Sequence, residues 1–116
     1  MIADIFKDKV VIVTGGANGI GRCIADEFRK QGAIVYVIDK QEGEHFVGDI
    51  SKQDVLETFA SDVLSKHNKV DIIVNNALPL MRGIDECSYD EFQYALSVGV
   101  TAPFYLVKLL KNHLAE

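Results

Sequence analysis

No apolar run in this sequence approaches the length of a membrane span, and no cluster of basic residues breaks an acidic balance of −5. The first absence excludes a spanning helix. The second removes support for nucleic-acid or acidic-membrane binding, since either needs a basic patch. Cysteine is scarce: Cys23 and Cys87 lie far apart and follow neither a redox nor a zinc spacing. The three histidines, His45, His67 and His113, show no ligand spacing with each other or with cysteine, so metal catalysis has no support. Met1–Lys7 lacks the charged and apolar regions of a signal peptide. Repeats, low-complexity tracts and linkers are missing too. The expectation is one cytoplasmic domain with reduced thiols, Cys23 being a core thiol among the apolar residues of a helix.

What is present is ordinary globular material: 116 residues, 48% hydrophobic and 25% charged. A chain of that length buries roughly two-thirds of its extended surface. Its elements alternate, which predicts an α/β fold with a parallel sheet and helical crossovers. Lys9–Thr14 reads as a strand buried on both faces, continuous in Val and Ile. A helix follows from Gly19 to Gln31, with Ile20, Ile24 and Phe28 every four residues and Gly32 beyond its end. Ala33–Ile38 is a second strand, ending in Asp39, and His45–Gly48 a short third. Ser51-Lys-Gln-Asp54 resembles a capping box, ahead of a helix facing inward through Val55, Phe59 and Val63. Val70–Asn75 is a fourth strand. Ser88-Tyr-Asp-Glu91 is a full capping box, opening a last helix with Phe92, Leu96, Val100, Val107 and Leu110, which Pro103 is expected to kink.

Chemistry concentrates where the first strand meets the first helix. Glycines at 15, 19 and 21 follow the strand at once. Gly15 permits a tight turn, Gly19 allows backbone to approach a phosphate, and Gly21 allows close helix–strand packing. Amides and the dipole at the helix start can then hold a pyrophosphate. Asp39 lies 18 residues past Gly21, near the offset at which a carboxylate accepts from an adenosine ribose. That charge repels a 2′-phosphate, so NAD is preferred over NADP; Lys40 and Arg22 read as surface charges. Asp85-Glu86 and Asp90-Glu91 read as acids at a helix start.

These residues resemble the short-chain dehydrogenase/reductase family. Thr14–Gly21 looks like its Thr-Gly-x-x-x-Gly-x-Gly motif, Asp49-Ile50 like its Asp-hydrophobic pair at the adenine, and Asn75-Asn76-Ala77 like its Asn-Asn-Ala-Gly. Ser97–Phe104 looks like the family's Val-Asn-Leu-x-Gly-x-Phe helix segment. The resemblance implies half of a Rossmann doubly wound sheet, strand order 3-2-1-4, with flanking helices. It implies cofactor contacts from Gly15, Asn18, Gly19, Ile20, Gly21, Asp39, Asp49, Ile50, Asn76 and Ala77, with Asn75 bracing the sheet. Leu78 replaces a family glycine, and Gly99 the catalytic asparagine.

The resemblance covers nearly the whole chain but only the first half of a family member, so 1–116 is expected to be a truncated NAD-binding Rossmann domain. The family's catalytic Ser and Tyr-x-x-x-Lys are missing from it. In the family the tyrosine exchanges a proton with substrate oxygen, the lysine lowers its pKa, and the serine polarises the carbonyl. Tyr36-Val-Ile-Asp-Lys40 matches the spacing on a strand, where ~3.3 Å per residue sets the two side chains about 13 Å apart. Tyr105 and Lys108 read as an ordinary helix pair. The expected function is dinucleotide binding without turnover; the alternatives are a nucleotide-binding scaffold or regulator, and a half-enzyme completed by another chain. Strand 70–75, internal in the complete sheet, becomes an edge, so self-association through it or through the C-terminal helix is expected.

Overall fold

Strand β1 (Val10–Thr14) is buried along its whole length, and every other element is arranged around it. A computed structural model describes residues 4–79 and 82–114. After β1 come α1 (Gly19–Lys30), β2 (Ile34–Asp39), β3 (Phe46–Val47), α2 (Gln53–Lys66), β4 (Ile72–Asn75), α3 (Tyr89–Leu96) and α4 (Ala102–Leu110). The four strands form a parallel sheet in the order β3-β2-β1-β4. Val10 pairs with Ile34 and Thr14 with Ile38 on one side; Val11 pairs with Ile72 and Thr14 with Asn75 on the other. This is the Rossmann-like order expected from the motif. Among the described residues no helix is long and apolar enough to cross a membrane.

Side chains alternate across a strand, so β1 feeds two cores. Val10 and Ile12, with Ile38, pack against Leu56, Phe59, Ala60 and Val63 of α2 and against Val98, Ala102, Leu106 and Leu110. Val11 and Val13, with Val37, pack against Ala25 of α1 and the half-buried Ile24 and Phe28. Each fully buried large side chain contributes about 1.5–3 kcal/mol, so the thicker first core carries most of the stability. Tyr36 stands on this first side and shares a 2.8 Å hydrogen bond with His67.

Several helix faces differ from the sequence reading. Ile20 is 75% exposed and Cys23 is exposed rather than a core thiol. Helix α1 starts beyond the end of β1, so its first turn overhangs the sheet. Gly21 and Ala25 define its packing face, and Cys23, two residues from each, lies roughly 200° around the helix from both. Ser51 does not cap α2: the cap position is Lys52, without a side-chain cap. The Ser51 amide is already committed, donating to Asp49 Oδ1 at 2.9 Å in a local turn.

The last helix inverts its expected stripe. Leu110 is buried as predicted, but Phe92, Leu96, Val100 and Val107 are exposed, and the inward face is Ala95, Val98, Ala102 and Leu106. The helix is apolar on both sides, so periodicity alone picks either. At Pro103, where a kink is expected, the helix continues through a π turn at Ser97–Thr101, in which Ala102 N–H donates to Ser97 O, five residues back. Proline brings no N–H to the carbonyl four residues earlier, and the widened turn absorbs that loss. The box at Ser88 forms in full: Ser88 Oγ accepts from Glu91 N and Glu91 Oε1 from Ser88 N, each at 3.1 Å.

Strand β4 is shorter than predicted. Val70 turns to the other side, its N–H donating to His113 O at 2.8 Å, with Leu114 beside it in parallel. Residues 113–114 therefore cover the start of the edge that the sequence leaves open. Asp71 ties this region to β1: its N–H donates to Val10 O, and its Oδ2 accepts from Val10 N, both at 2.8 Å. The Asp71 side chain is only 8% exposed. Burial, the largest influence, opposes its charge, but Lys69, the Val10 amide and the charge of Lys9 together hold its pKa below 3.8. A depressed carboxyl pKa stabilises the fold above that pH, and the contribution is lost as pH falls through the folded-state value.

Candidate functional site

The carboxyl ends of β1, β2 and β4 open into one cavity of about 660 Å³, within the range typical of small-molecule sites. In open parallel sheets ligands sit at this end, where strand order reverses. Here the reversal falls between β1 and β4. Nine of the ten residues implied by the resemblance line the cavity: Gly15, Asn18, Ile20, Gly21, Asp39, Asp49, Ile50, Asn76 and Ala77. Gly19 stands beside them at the start of α1.

The three motif glycines at the β1–α1 junction each have a separate reason to be glycine. Gly15 has φ +67°, and a Cβ there would sit 2.8 Å from Ala77 Cα. Gly21 lies against the Gly15 carbonyl so closely that a Cβ would collide with that oxygen and with Asn76 Nδ2. Gly19 has φ +59° and open space within 4 Å of a Cβ, so left-handed backbone, not contact, favours glycine there.

The turn delivers an uncapped helix. Asn18 occupies the cap position in extended conformation, yet its side chain does not cap and no acid lies in the first turn. Its Nδ2 instead donates to Gln41 Oε1 at 3.2 Å. Helix α3, with its capping box and two acids, is the opposite case. The start of α1 thus offers amides and a positive dipole end to an anion.

Asp39 is held at the end of β2 by two backbone amides, Ala17 N to Oδ2 at 3.1 Å and Gln41 N to Oδ1 at 3.0 Å. Each oxygen keeps a lone pair for a further donor. Asp49 accepts on Oδ1 from Ser51 N at 2.9 Å and from Tyr94 Oη at 3.1 Å. Burial works against its ionisation and is the largest single influence. Hydrogen bonds from the Ser51 backbone and side chain and from Tyr94, with the charge of Lys40, outweigh it and set the carboxyl below its ordinary value.

The bracing expected of Asn75 belongs to its neighbour. Asn75 is exposed, whereas Asn76 Nδ2 donates to Gly15 O at 3.1 Å. The buried Thr14 Oγ1 accepts from both Asn76 N and Ala77 N at 3.1 Å. Asn75 is the last residue of β4, level with Thr14, so the chain past it turns toward the Gly15 loop. Leu78 lines the cavity and is 84% exposed, and a Cβ at Gly99 would meet nothing within 4 Å.

Tyr94, which has no place in the motif reading, also lines the cavity, as does Val98 of the Ser97–Phe104 segment. Their signal was spacing: Asp90, Tyr94 and Val98 recur every four residues, so one helix face serves the site. Lys40, read as a plain surface charge, lies 3.4 Å from Tyr94 Oη.

Comparison with known proteins gives a consistent likeness. The sequence model of a family described as "short chain dehydrogenase" matches residues 9–116. L-fucose dehydrogenase of Mus musculus is 35% identical over 125 residues, covering 96% of this chain and 46% of that protein. Among solved structures, 3-ketoacyl-(acyl-carrier-protein) reductase of Brucella melitensis complexed with NADH is 28% identical, with a TM-score of 0.83 over 93% of this chain and 50% of that one. L-sorbose reductase of Gluconobacter frateurii, complexed with NADPH and L-sorbose, is 25% identical, with a TM-score of 0.84 over 98% and 50%. The chain spans about half the length of the relatives it matches.

Proposed function

The chain belongs to the short-chain dehydrogenase family, and from that premise we propose that residues 1–116 form the part of an oxidoreductase that binds NAD through its adenosine and pyrophosphate. The observation that carries this reading is the uncapped α1 terminus opening on the same cavity as Asp39 and Asp49. Amides of Gly19, Ile20 and Gly21 would hold the diphosphate, Asp39 the ribose hydroxyls, and Asp49 with Ile50 the adenine, while Asn76 and Ala77 shape the wall. Bound NAD would supply a hydride acceptor at its nicotinamide. The pocket favours NAD over NADP. Among the described residues, Asp39, Asp49, Asp90 and Glu91 line it against a single cation, Lys40, and a 2′-phosphate would bring further negative charge. The exposed free thiol of Cys23 fits a reducing, cytoplasmic setting.

By themselves these residues bind rather than turn over. The one Tyr-x-x-x-Lys spacing, Tyr36 to Lys40, follows β2 rather than a helix turn, and Gly99 replaces the family's asparagine. Gly99 and Leu78 also favour a nucleotide-binding scaffold or regulator over a half-enzyme that another chain completes. Calorimetry with ADP-ribose and NAD tests the division of labour. ADP-ribose is expected to bind within a few-fold of NAD; NAD binding a hundredfold tighter would refute it.

The last helix supports self-association. Phe92, Leu96, Val100, Phe104 and Val107 form an exposed apolar stripe, Phe104 being 63% exposed. A second copy packed on it about a two-fold axis would bury that stripe. The β4 edge is the weaker candidate, since residues 113–114 already lie against Val70. Sedimentation is expected to give a dimer that Phe104→Glu converts to monomer; a monomeric wild type at micromolar concentration would contradict it.

A further inference from the structure

Lys40, Asp49 and Tyr94 come from three different segments and meet where the cavity is bounded by α3. Lys40 Nζ lies 3.4 Å from Tyr94 Oη and 5.3 Å from its ring centroid, and Tyr94 Oη lies 3.1 Å from Asp49 Oδ1. An ammonium only donates and a carboxylate only accepts, so the single phenolic proton is directed to Asp49. The Ser51 amide reaches the same oxygen at 2.9 Å. Two donors on Oδ1 fix the rotation of the carboxyl group and reward its ionised form.

An ionised carboxylate in fixed orientation demands a donor from whatever faces it. The Asp49 carboxylate, which lines the cavity, therefore presents an acceptor. Adenine meets an acceptor with its 6-amino group. Hypoxanthine places a carbonyl at C6 instead, which can only accept. A base tethered through ribose and diphosphate cannot freely turn over to correct the mismatch.

We infer that Tyr94, oriented by Lys40, is a positioning residue that fixes Asp49 as an acceptor and so makes the site select 6-amino over 6-oxo purine nucleotides. The inference rests on the reading that the cavity takes a dinucleotide with its base at Asp49. It goes beyond that reading by assigning base selectivity to a side chain outside the motif.

Calorimetric titration of ADP and IDP into the wild-type chain, Tyr94→Phe and Asp49→Asn tests it. Wild type is expected to prefer ADP by at least about tenfold. Tyr94→Phe should cut that ratio to about threefold or less, with affinity for base-free ribose 5-diphosphate unchanged. Asp49→Asn should abolish or invert the preference, because an amide can donate to a 6-oxo group. In the ligand-free chain, Tyr94→Phe should move the Asp49 carboxyl titration, followed by NMR, upward. The inference is overturned if Tyr94→Phe keeps the full ADP:IDP ratio, or weakens both nucleotides and the base-free diphosphate alike. Failure of all three to bind wild type would overturn the dinucleotide reading itself, and this inference with it.

Discussion

Gly21→Ala is expected to lower the melting temperature of the chain by roughly 4–24 °C. Inside a helix this exchange usually stabilises, by roughly 0.5–1 kcal/mol, because alanine loses less backbone freedom on folding. Here the sign reverses. The added methyl would collide with the Gly15 carbonyl and with Asn76 Nδ2. The first is backbone, and the second already donates to that carbonyl at 3.1 Å, so neither can swing away cheaply. Forced overpacking costs about 1–3 kcal/mol, and each kcal/mol shifts the melting point of a domain this size by roughly 4–8 °C. Gly19→Ala is the control. Its Cβ would meet nothing, and only the positive φ penalises it, by roughly 1–2 kcal/mol. Melts followed by circular dichroism separate the two. Equal stability of Gly21→Ala and wild type would mean that α1 does not approach β1 as described.

Asp39→Asn is expected to weaken NAD by about ten- to a hundredfold and to erase the preference over NADP. Hydrogen bonds to a charged acceptor are worth about 1.5–3 kcal/mol, and 1.4 kcal/mol is tenfold in affinity. Asparagine keeps one acceptor oxygen for Ala17 N or Gln41 N, so the loop is disturbed less than by alanine. Its loss of charge also removes repulsion against a 2′-phosphate, and NADP should gain as NAD declines. Competitive calorimetry with both dinucleotides reads the two changes together. A variant that keeps the wild-type ratio would show that Asp39 does not face the ribose.

The strands and the turn were legible because their constraints are local. A strand buried on both faces needs continuous Val and Ile, and the glycines of the turn answer steric demands within a few residues of one another. The capping box at Ser88 is a four-residue pattern and formed as written. What the sequence hid depends on contacts between distant segments. Cys23 reads as core until Gly21 and Ala25 are seen to face the sheet. The last helix is apolar on two sides, and only the π turn and the packing against α2 decide which is inward. Asp71 reaches Val10 across 61 positions, and Tyr94 reaches Asp49 across 45. Periodicity groups Tyr94 with Asp90 and Val98 on one helix face, but it does not name a partner 45 residues away. Ser51 shows the converse: its amide closes a local turn on Asp49, and the helix starts one residue later than the box requires, with Lys52 at the cap position.

The most direct test of the central claim is amide-resolved NMR of the isotopically labelled chain during titration with ADP-ribose. The amides of Gly19, Ile20 and Gly21 are expected to shift most, together with those flanking Asp39 and Asp49, and Asp39→Asn is expected to diminish the shifts. Saturating ADP-ribose that leaves the first turn of α1 unmoved, or that shifts residues on another face, would contradict it.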